Sequence, residues 1–154
     1  MKSVYRALAY LVALEVVIQA AAIAFALAGL GKWISEGGVL DAATMESEST
    51  DFTGVVGFMI HGINGQMIVP LIALLLLISS FFAKIPGGVM WAGLVLATVV
   101  VQVLLGISRV PVLVLVHGIV AFVLFTFAVI AARKAEAVLG GLDRTPARGT
   151  AGVA

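Results

Sequence analysis

The chain has 154 residues, of which 62% are hydrophobic and 11% are charged, and its mean hydropathy is +1.21. Soluble domains carry roughly 25% charged residues, so the composition excludes an ordinary water-soluble enzyme and indicates a protein of the lipid bilayer. The sequence contains no cysteine, which excludes disulfides, zinc–thiolate sites and iron–sulfur clusters. A formal net charge of +1 gives no basic surface for nucleic acid.

Four apolar segments are long enough to cross a bilayer as helices, which takes about 20 residues each. They run approximately over residues 4–30, 54–83, 89–107 and 110–132. The links after the second and third segments are so short that consecutive helices must be antiparallel neighbours. The sequence therefore predicts an all-α fold, an integral membrane up-down-up-down four-helix bundle over residues 1–139. A tail over 140–154, rich in Gly, Thr and Arg, is predicted to be a disordered cytoplasmic extension.

The lysines and arginines that flank the spans are unevenly distributed. With the N-terminus in the cytoplasm, the outer side has two, Lys32 and Arg109, and the inner side has seven: Lys2, Arg6, Lys84, Arg133, Lys134, Arg144 and Arg148. The positive-inside rule then places both termini in the cytoplasm and the acidic loop 31–53 outside. We therefore expect a multi-pass protein of a bacterial inner membrane.

The two histidines of the chain stand at equivalent positions in two spans. His61 lies seven residues after Gly54, and His117 lies seven residues after Val110. Both helices are predicted to run inward, so both imidazoles lie about 10 Å below the outer boundary. The second and fourth helices of such a bundle are diagonal, roughly 13 Å apart, which suits two imidazoles bound to one iron. We therefore predict His61 and His117 as the axial ligands of one b-type haem per chain. The alternative is that each histidine only donates a hydrogen bond to a neighbouring helix.

Other residues at this depth fit a haem site. Small residues would leave room for a flat macrocycle. Gly57 and Gly65 stand one turn from His61, Ala121 stands one turn after His117, and Gly106 lies at the same depth on the third span. Gln102 and Arg109, near the outer surface, are expected to bind the haem propionates as a donor and a cation. For Arg109 the alternative is a loop cation in the lipid headgroup region.

Three further polar residues lie deeper in the apolar spans. Glu15 and Gln19 are one turn apart on the first span, and Gln66 lies at a similar level on the second. A carboxylate near the membrane centre costs about 2.5–3.5 kcal/mol, so we expect Glu15 to be protonated, paired or facing water. The three side chains form either a structural hydrogen-bond network or a proton path or quinone contact. Pro70 removes the hydrogen bond to the Gln66 carbonyl, so we expect a kink or another partner there.

These residues resemble one four-helix half of haem A synthase over about residues 54–132. The resemblance rests on helix order and on residues 61–66 (HGINGQ), 101–106 (VQVLLG) and 116–121 (VHGIVA). It implies that His61 and His117 are the axial pair of a b-type haem. The synthase has eight spans, an outer-loop cysteine pair and a carboxylate about one turn before its first histidine. This chain has four predicted spans, no cysteine, and Gly57 or Phe58 at that place, so the hydroxylation chemistry of the synthase is not implied.

The leading hypothesis is a membrane cytochrome b that transfers single electrons, alone or as an accessory subunit of a respiratory complex. Two axial imidazoles leave no open position on iron, which favours a non-catalytic electron carrier over an enzyme. Quinone and a second copy of the chain are candidate partners besides the bilayer. The alternatives are a homodimeric enzyme similar to haem A synthase, a structural subunit without chemistry, and a proton-coupled exporter that uses Glu15. The last resembles the small multidrug resistance family, which has four spans and a membrane glutamate in the first.

Overall fold

The computed structural model describes residues 1–46, 51–108 and 110–143. Within these ranges the chain is helical and contains no strand. The helices are α1 (Lys2–Ser35), α2 (Ala42–Glu46), α3 (Val55–Ile63), α4 (Val69–Ala83), α5 (Gly88–Ile107) and α6 (Pro111–Asp143), and a π-helix over Asn64–Ile68 joins α3 to α4. We call α3, the π-helix and α4 together the second span. Four stretches are long and apolar enough to cross a membrane, namely α1, the second span, α5 and α6. The all-α class, with four helices long and apolar enough to cross a membrane, is therefore confirmed.

The first and last helices extend beyond the predicted spans. α1 continues past residue 30 to Ser35, and α6 continues past residue 132 to Asp143. Residues 140–143 are therefore helical, which corrects the prediction of a disordered tail from residue 140. The extension of α6 begins with charged residues, and two of them pair within the helix, since Arg133 lies 3.7 Å from Glu136. Such pairs stabilise a helix even where its residues are not apolar. Residues 144–154 lie outside the described residues.

The four spans pack as a ring. α1 and α5 each contact the second span and α6, so the second span and α6, which carry the two histidines, lie across the ring from each other. The Tyr5 hydroxyl donates to the Gly88 carbonyl at 2.9 Å, and the Tyr10 hydroxyl donates to Glu136 at 2.9 Å. The start of α1 therefore lies beside the start of α5 and the end of α6.

Most buried apolar side chains lie in one half of this ring, the end at which α1 starts, while Ala22 and Ala26 are buried where α1 meets α3. The cluster consists of Tyr5, Ala9, Val12, Ala13, Val69, Ile72, Ala73, Leu76, Ala83, Ile85, Ala92, Val95, Val99, Leu124, Ala128, Ala131, Ala132 and Ala135. Half of these residues are alanine, whose small side chain lets membrane helices approach closely. Outward-facing side chains are large and apolar, as in Phe81 and Phe82, which are 62% and 64% exposed. We call this end of the bundle the packed half.

The link between α1 and α3 contains the short helix α2. The Asp41 carboxylate accepts the backbone N–H and the hydroxyl of Thr44, both at 2.7 Å, and so caps α2 at its N-terminus. These bonds, the hydroxyl first, hold the pKa of Asp41 below its ordinary value. Trp33 at the end of α1 stacks on Phe52 with ring centres 5.9 Å apart, which ties the end of the link to α1.

Candidate functional site

The end of the bundle opposite the packed half is hollow. It contains a partly open cavity of about 640 Å³, lined by residues of all four spans, a size typical of sites for cofactors and other small molecules. The lining is mostly apolar, and His61 and His117 are its ionisable members among the described residues. Val69, Val99 and Leu124 belong both to the lining and to the buried core, so they separate the two regions. We call this end the open half.

Each histidine is fixed by a backbone carbonyl of the neighbouring helix. His61 Nδ1 lies 3.1 Å from the Gln19 carbonyl oxygen, and His117 Nδ1 lies 3.0 Å from the Gln102 carbonyl oxygen. A carbonyl oxygen only accepts, so each bond places the ring proton on Nδ1 and leaves the Nε2 lone pair available. Histidines that bind metals are commonly oriented in this way.

The distance between the two rings fits one metal ion between them. The ring centres of His61 and His117 are 6.1 Å apart, and the ring planes are inclined by 68°. Metal–nitrogen bonds of about 2 Å, with each ring centre roughly 1 Å behind the bonded nitrogen, place the centres of two opposed imidazoles about 6 Å apart. The described residues contain no group of three or more His, Cys, Asp or Glu able to hold a bare ion. Two imidazoles in an apolar cavity instead fit a haem, whose macrocycle supplies the other ligands.

The His117 ring rests against α5. A Cβ on Gly106 would lie 3.3 Å from the ring carbon Cε1 and 3.4 Å from Nδ1, so Gly106 makes room for the imidazole itself. One turn earlier, Gln102 also lines the cavity. Its side-chain oxygen is buried and has no hydrogen-bond partner within the described ranges, and buried acceptors of this kind normally have one. Arg109, the other predicted propionate ligand, lies outside the described residues.

The His61 ring is surrounded by a second set of polar contacts. With its amide nitrogen toward His61, the Gln19 side chain donates to the His61 carbonyl at 2.9 Å and accepts from Asn64 at 3.0 Å. The same nitrogen lies 2.9 Å from Nδ1 of His61. Nδ1 can either accept a hydrogen bond from this nitrogen or donate one to the Gln19 carbonyl. Only when Nδ1 donates to the carbonyl does Nε2 keep a lone pair that can bind a metal. A Cβ on Gly65 would lie 3.1 Å from the Gln19 side chain, so Gly65 gives that amide its space.

The small residues predicted around the macrocycle divide into two groups. Gly65, Gly106 and Ala121 line the cavity, and their contact with a macrocycle stays a prediction. Gly57 is absent from the lining, contrary to expectation. A Cβ there would overlap the carbonyl oxygen of Ala22 on α1, so Gly57 lets two helices approach each other and does not clear space for a cofactor.

The polar cluster around Glu15 differs from the prediction in one member. Asn64 donates to the Glu15 carboxylate at 2.6 Å, whereas Gln66 lines the cavity. The π-helix explains the exchange, because its wider turn alters which face each following residue occupies. Within this turn the Val69 N–H bonds to the Asn64 carbonyl, five residues back. The turn ends directly before Pro70, which has no N–H to donate.

The π-helix and the role of Asn64 were missed by the sequence reasoning. The available indication was Pro70 following the polar residues 64–66 within an apolar span. Comparisons of the chain with protein-family models, with curated proteins and with solved structures found no match. The resemblance to one half of haem A synthase therefore stays a prediction.

Proposed function

We propose that this chain binds one b-type haem between His61 and His117 in the open half of the bundle. The observation that carries the proposal is the pair of imidazoles, each bonded through Nδ1 to a helix carbonyl, with ring centres 6.1 Å apart in one cavity. His61 and His117 would hold the iron through Nε2, and the carbonyls of Gln19 and Gln102 would fix both rings. A bound haem would supply a one-electron iron couple.

The ligand set favours electron transfer over chemistry on a substrate. Both axial positions would be filled by imidazoles that helix carbonyls hold in place, which leaves no site on the iron for oxygen. The apolar lining would exclude water from the haem, which favours iron that changes stably between its oxidised and reduced states. We therefore propose a one-electron carrier or an accessory subunit of a respiratory complex, with quinone or a larger complex as its partner.

The four apolar spans indicate a lipid bilayer environment. We propose that the bundle runs up-down-up-down across a bacterial inner membrane with both termini in the cytoplasm, because most flanking basic residues then lie inside. The open half then lies toward the outer surface. There the Gln102 amide, whose oxygen has no partner in the described part of the chain, would face the polar edge of the haem together with Arg109.

No observation favours the exporter or the homodimeric enzyme. Among the described residues, Glu15 is not part of the cavity lining, and its carboxylate is bonded by Asn64. The cavity therefore presents no carboxylate to a transported cation. The same lining has two imidazoles and no acidic side chain, so it offers an enzyme no carboxylate as a general base.

The proposal is tested by the colour of the protein and its dependence on the two histidines. Protein purified from haem-sufficient bacteria should be red, with sharp low-spin b-type bands in the reduced-minus-oxidised spectrum. His61→Ala and His117→Ala should each abolish the low-spin spectrum. Gln66→Leu, which changes another polar residue of the lining, is the matched control and should retain it. A colourless wild-type protein, or histidine variants with an unchanged spectrum, would contradict the proposal.

A further inference from the structure

The ring of spans has one side on which neighbouring helices do not pack along their whole length. α1 packs against both α3 and α4, and α5 packs against α6 and α4. No comparable packing joins α5 to α3 or to the π-helix in the described part of the chain. The second span and α5 therefore separate in the open half and leave an opening toward the surrounding lipid, which we call the lateral gap.

Two glycines flank the lateral gap. Among the described residues, a Cβ on Gly62 of α3 would have only the Gln66 amide nitrogen within 4 Å, and a Cβ on Gly106 of α5 would have only the His117 ring of α6. Neither position meets the helix opposite. Both glycines line the same cavity as the two imidazoles, so the lateral gap connects the space around His61 and His117 with the lipid.

Gln66 brings a polar group to the lateral gap. Its side chain is exposed and belongs to the cavity lining, and its amide makes no hydrogen bond within the described ranges. Gln66 lies 11 residues after Val55 and 17 before Ala83, so it lies about 17 Å from the nearer end of the second span. That depth is inside a hydrocarbon core about 30 Å thick, where water does not supply the missing partner.

The depth of Gln66 and the walls of the gap select the class of ligand. Beside the Gln66 amide the walls are apolar, with Val103 and Ile107 on α5. A phospholipid keeps its ester oxygens near the membrane surface, whereas an isoprenoid quinone dissolves in the hydrocarbon core and carries two carbonyl oxygens on a flat ring. A quinone also suits a carrier whose iron has no open position, because electrons pass without a bond to the iron.

We propose that the lateral gap is the binding site of a lipid-soluble quinone and its quinol. The Gln66 amide nitrogen donates to a quinone carbonyl, or the amide oxygen accepts from a quinol hydroxyl, and Gly62 leaves room for the ring. Two molecules of the oxidised protein accept one electron each from one quinol, whose two O–H bonds break to give the quinone and two protons released to water. The electron exchange rests on the proposed function, because it requires a haem, whereas binding of the ring does not.

Reduction of the haem-loaded protein by a decyl-substituted benzoquinol in lipid nanodiscs tests the electron exchange. Stopped-flow absorbance of the wild type should show a reduction rate that saturates with quinol concentration. Gln66→Leu should raise the half-saturating concentration about tenfold, as expected for the loss of one hydrogen bond, and should keep the low-spin spectrum. Met67→Leu changes the adjacent residue, which is 66% exposed and outside the lining, and should react as the wild type does.

A variant that fills the gap gives an independent test of its position. The side chain in Gly62→Leu occupies the space beside Gln66, so reduction by the quinol should slow at least tenfold while the low-spin spectrum remains. Gly93→Leu on α5 is the matched control, because a Cβ there has no described atom within 4 Å and the residue lies outside the lining. This variant should react at the wild-type rate.

Photolabelling of the wild-type protein with an azido-substituted quinone needs neither a variant nor the iron. The label should attach to residues of the second span or α5 that flank the gap, and an excess of unlabelled quinone should prevent it. Labelling elsewhere, or reduction by quinol that is unchanged in both Gln66→Leu and Gly62→Leu, would overturn the inference. If the low-spin spectrum still depends on both histidines in that case, the quinone site alone fails. A protein without haem that is nevertheless labelled at the gap would overturn the proposed function and the electron exchange and would support the binding site.

Discussion

In the packed half of the bundle, alanines bring the helices together around side chains such as Leu76 and Val95, both 0% exposed. In the open half the same four helices surround a cavity of about 640 Å³. Side chains that line a cavity of this size make fewer packing contacts with one another than side chains in a close-packed core. The contrast indicates that the packed half supplies most of the packing contacts that stabilise the bundle.

Polar groups in the packed half bond across helices at Tyr5 and Tyr10 and within one helix at the buried serines. In the packed half, the Ser79 and Ser80 hydroxyls donate to carbonyls of their own helix, those of Leu76 and Leu77, at 2.8 and 2.6 Å. In the open half, His61, His117 and Asn64 bond to groups on a neighbouring helix. We therefore expect substitutions in the packed half to change stability, and substitutions in the open half to change ligand binding.

The largest effect on stability is expected for Leu76→Ala in the packed half. Removal of this fully buried side chain should lower the free energy of unfolding by about 2–5 kcal/mol, because it leaves a cavity. Unfolding in mixed detergent micelles measures the change, and the haem spectrum should stay the same. The adjacent Leu75 is 43% exposed, so Leu75→Ala should cost much less. If both variants lost the same free energy of unfolding, the assignment of Leu76 to the buried core of the packed half would be contradicted.

A somewhat smaller loss is expected for Gly57→Ala. The added Cβ would overlap the Ala22 carbonyl and lie 3.0 Å from the Ala26 Cβ, so α1 and α3 must separate, at a cost of about 1–3 kcal/mol. Gly31→Ala is the control, since a Cβ there has no atom within 4 Å among the described residues. The same unfolding assay applies. If Gly57→Ala instead weakened haem binding at unchanged stability, the assignment of Gly57 to helix packing would fail.

The reverse pattern is expected for Gly106→Ala in the open half. The new methyl group would press on the His117 ring, whose nearest atom lies 3.3 Å from the added carbon. A shifted ring should weaken haem binding by about tenfold, which corresponds to about 1.4 kcal/mol, with little change in the stability of the haem-free protein. Haem titration followed by absorbance measures the affinity. Gly93→Ala on the same helix meets no described atom within 4 Å and should bind haem normally.

The smallest effect is expected for Tyr5→Phe in the packed half. The change removes the hydrogen bond to the Gly88 carbonyl and should lower the free energy of unfolding by about 1 kcal/mol. Tyr10→Phe removes an exposed bond to Glu136 and should cost less, because water replaces the lost donor. A larger loss for Tyr10→Phe than for Tyr5→Phe would show that the buried contact between α1 and α5 is unimportant.

The spans and the histidine pair could be predicted because they depend on local sequence. Apolar length determines where a membrane helix forms, and equal spacing from the span starts placed His61 and His117 at one depth. The structure brings both into one cavity, at a distance that spacing alone does not determine. Gly65, Gly106, Gln102 and Ala121 were likewise found on the lining.

Features that depend on contacts between helices could not be predicted. The π-helix changes the register within the second span, so Asn64 replaces Gln66 beside Glu15. Gly57 and Gly65 each lie one turn from His61, yet a Cβ on Gly57 would overlap the backbone of α1, whereas a Cβ on Gly65 would meet only a side chain of α1, that of Gln19. The sequence pattern treats these two glycines as equivalent, and the position of the neighbouring helix distinguishes them.

Titration of the haem-free protein with haem tests the central claim most directly. Binding should saturate at one haem per chain and give a low-spin spectrum, because His61 and His117 both coordinate the iron. The 68° between their ring planes should also give a strongly anisotropic low-spin electron paramagnetic resonance signal. Binding that does not saturate, or a saturated complex that is high-spin, would contradict the assignment of the open half as a haem site held by two histidines.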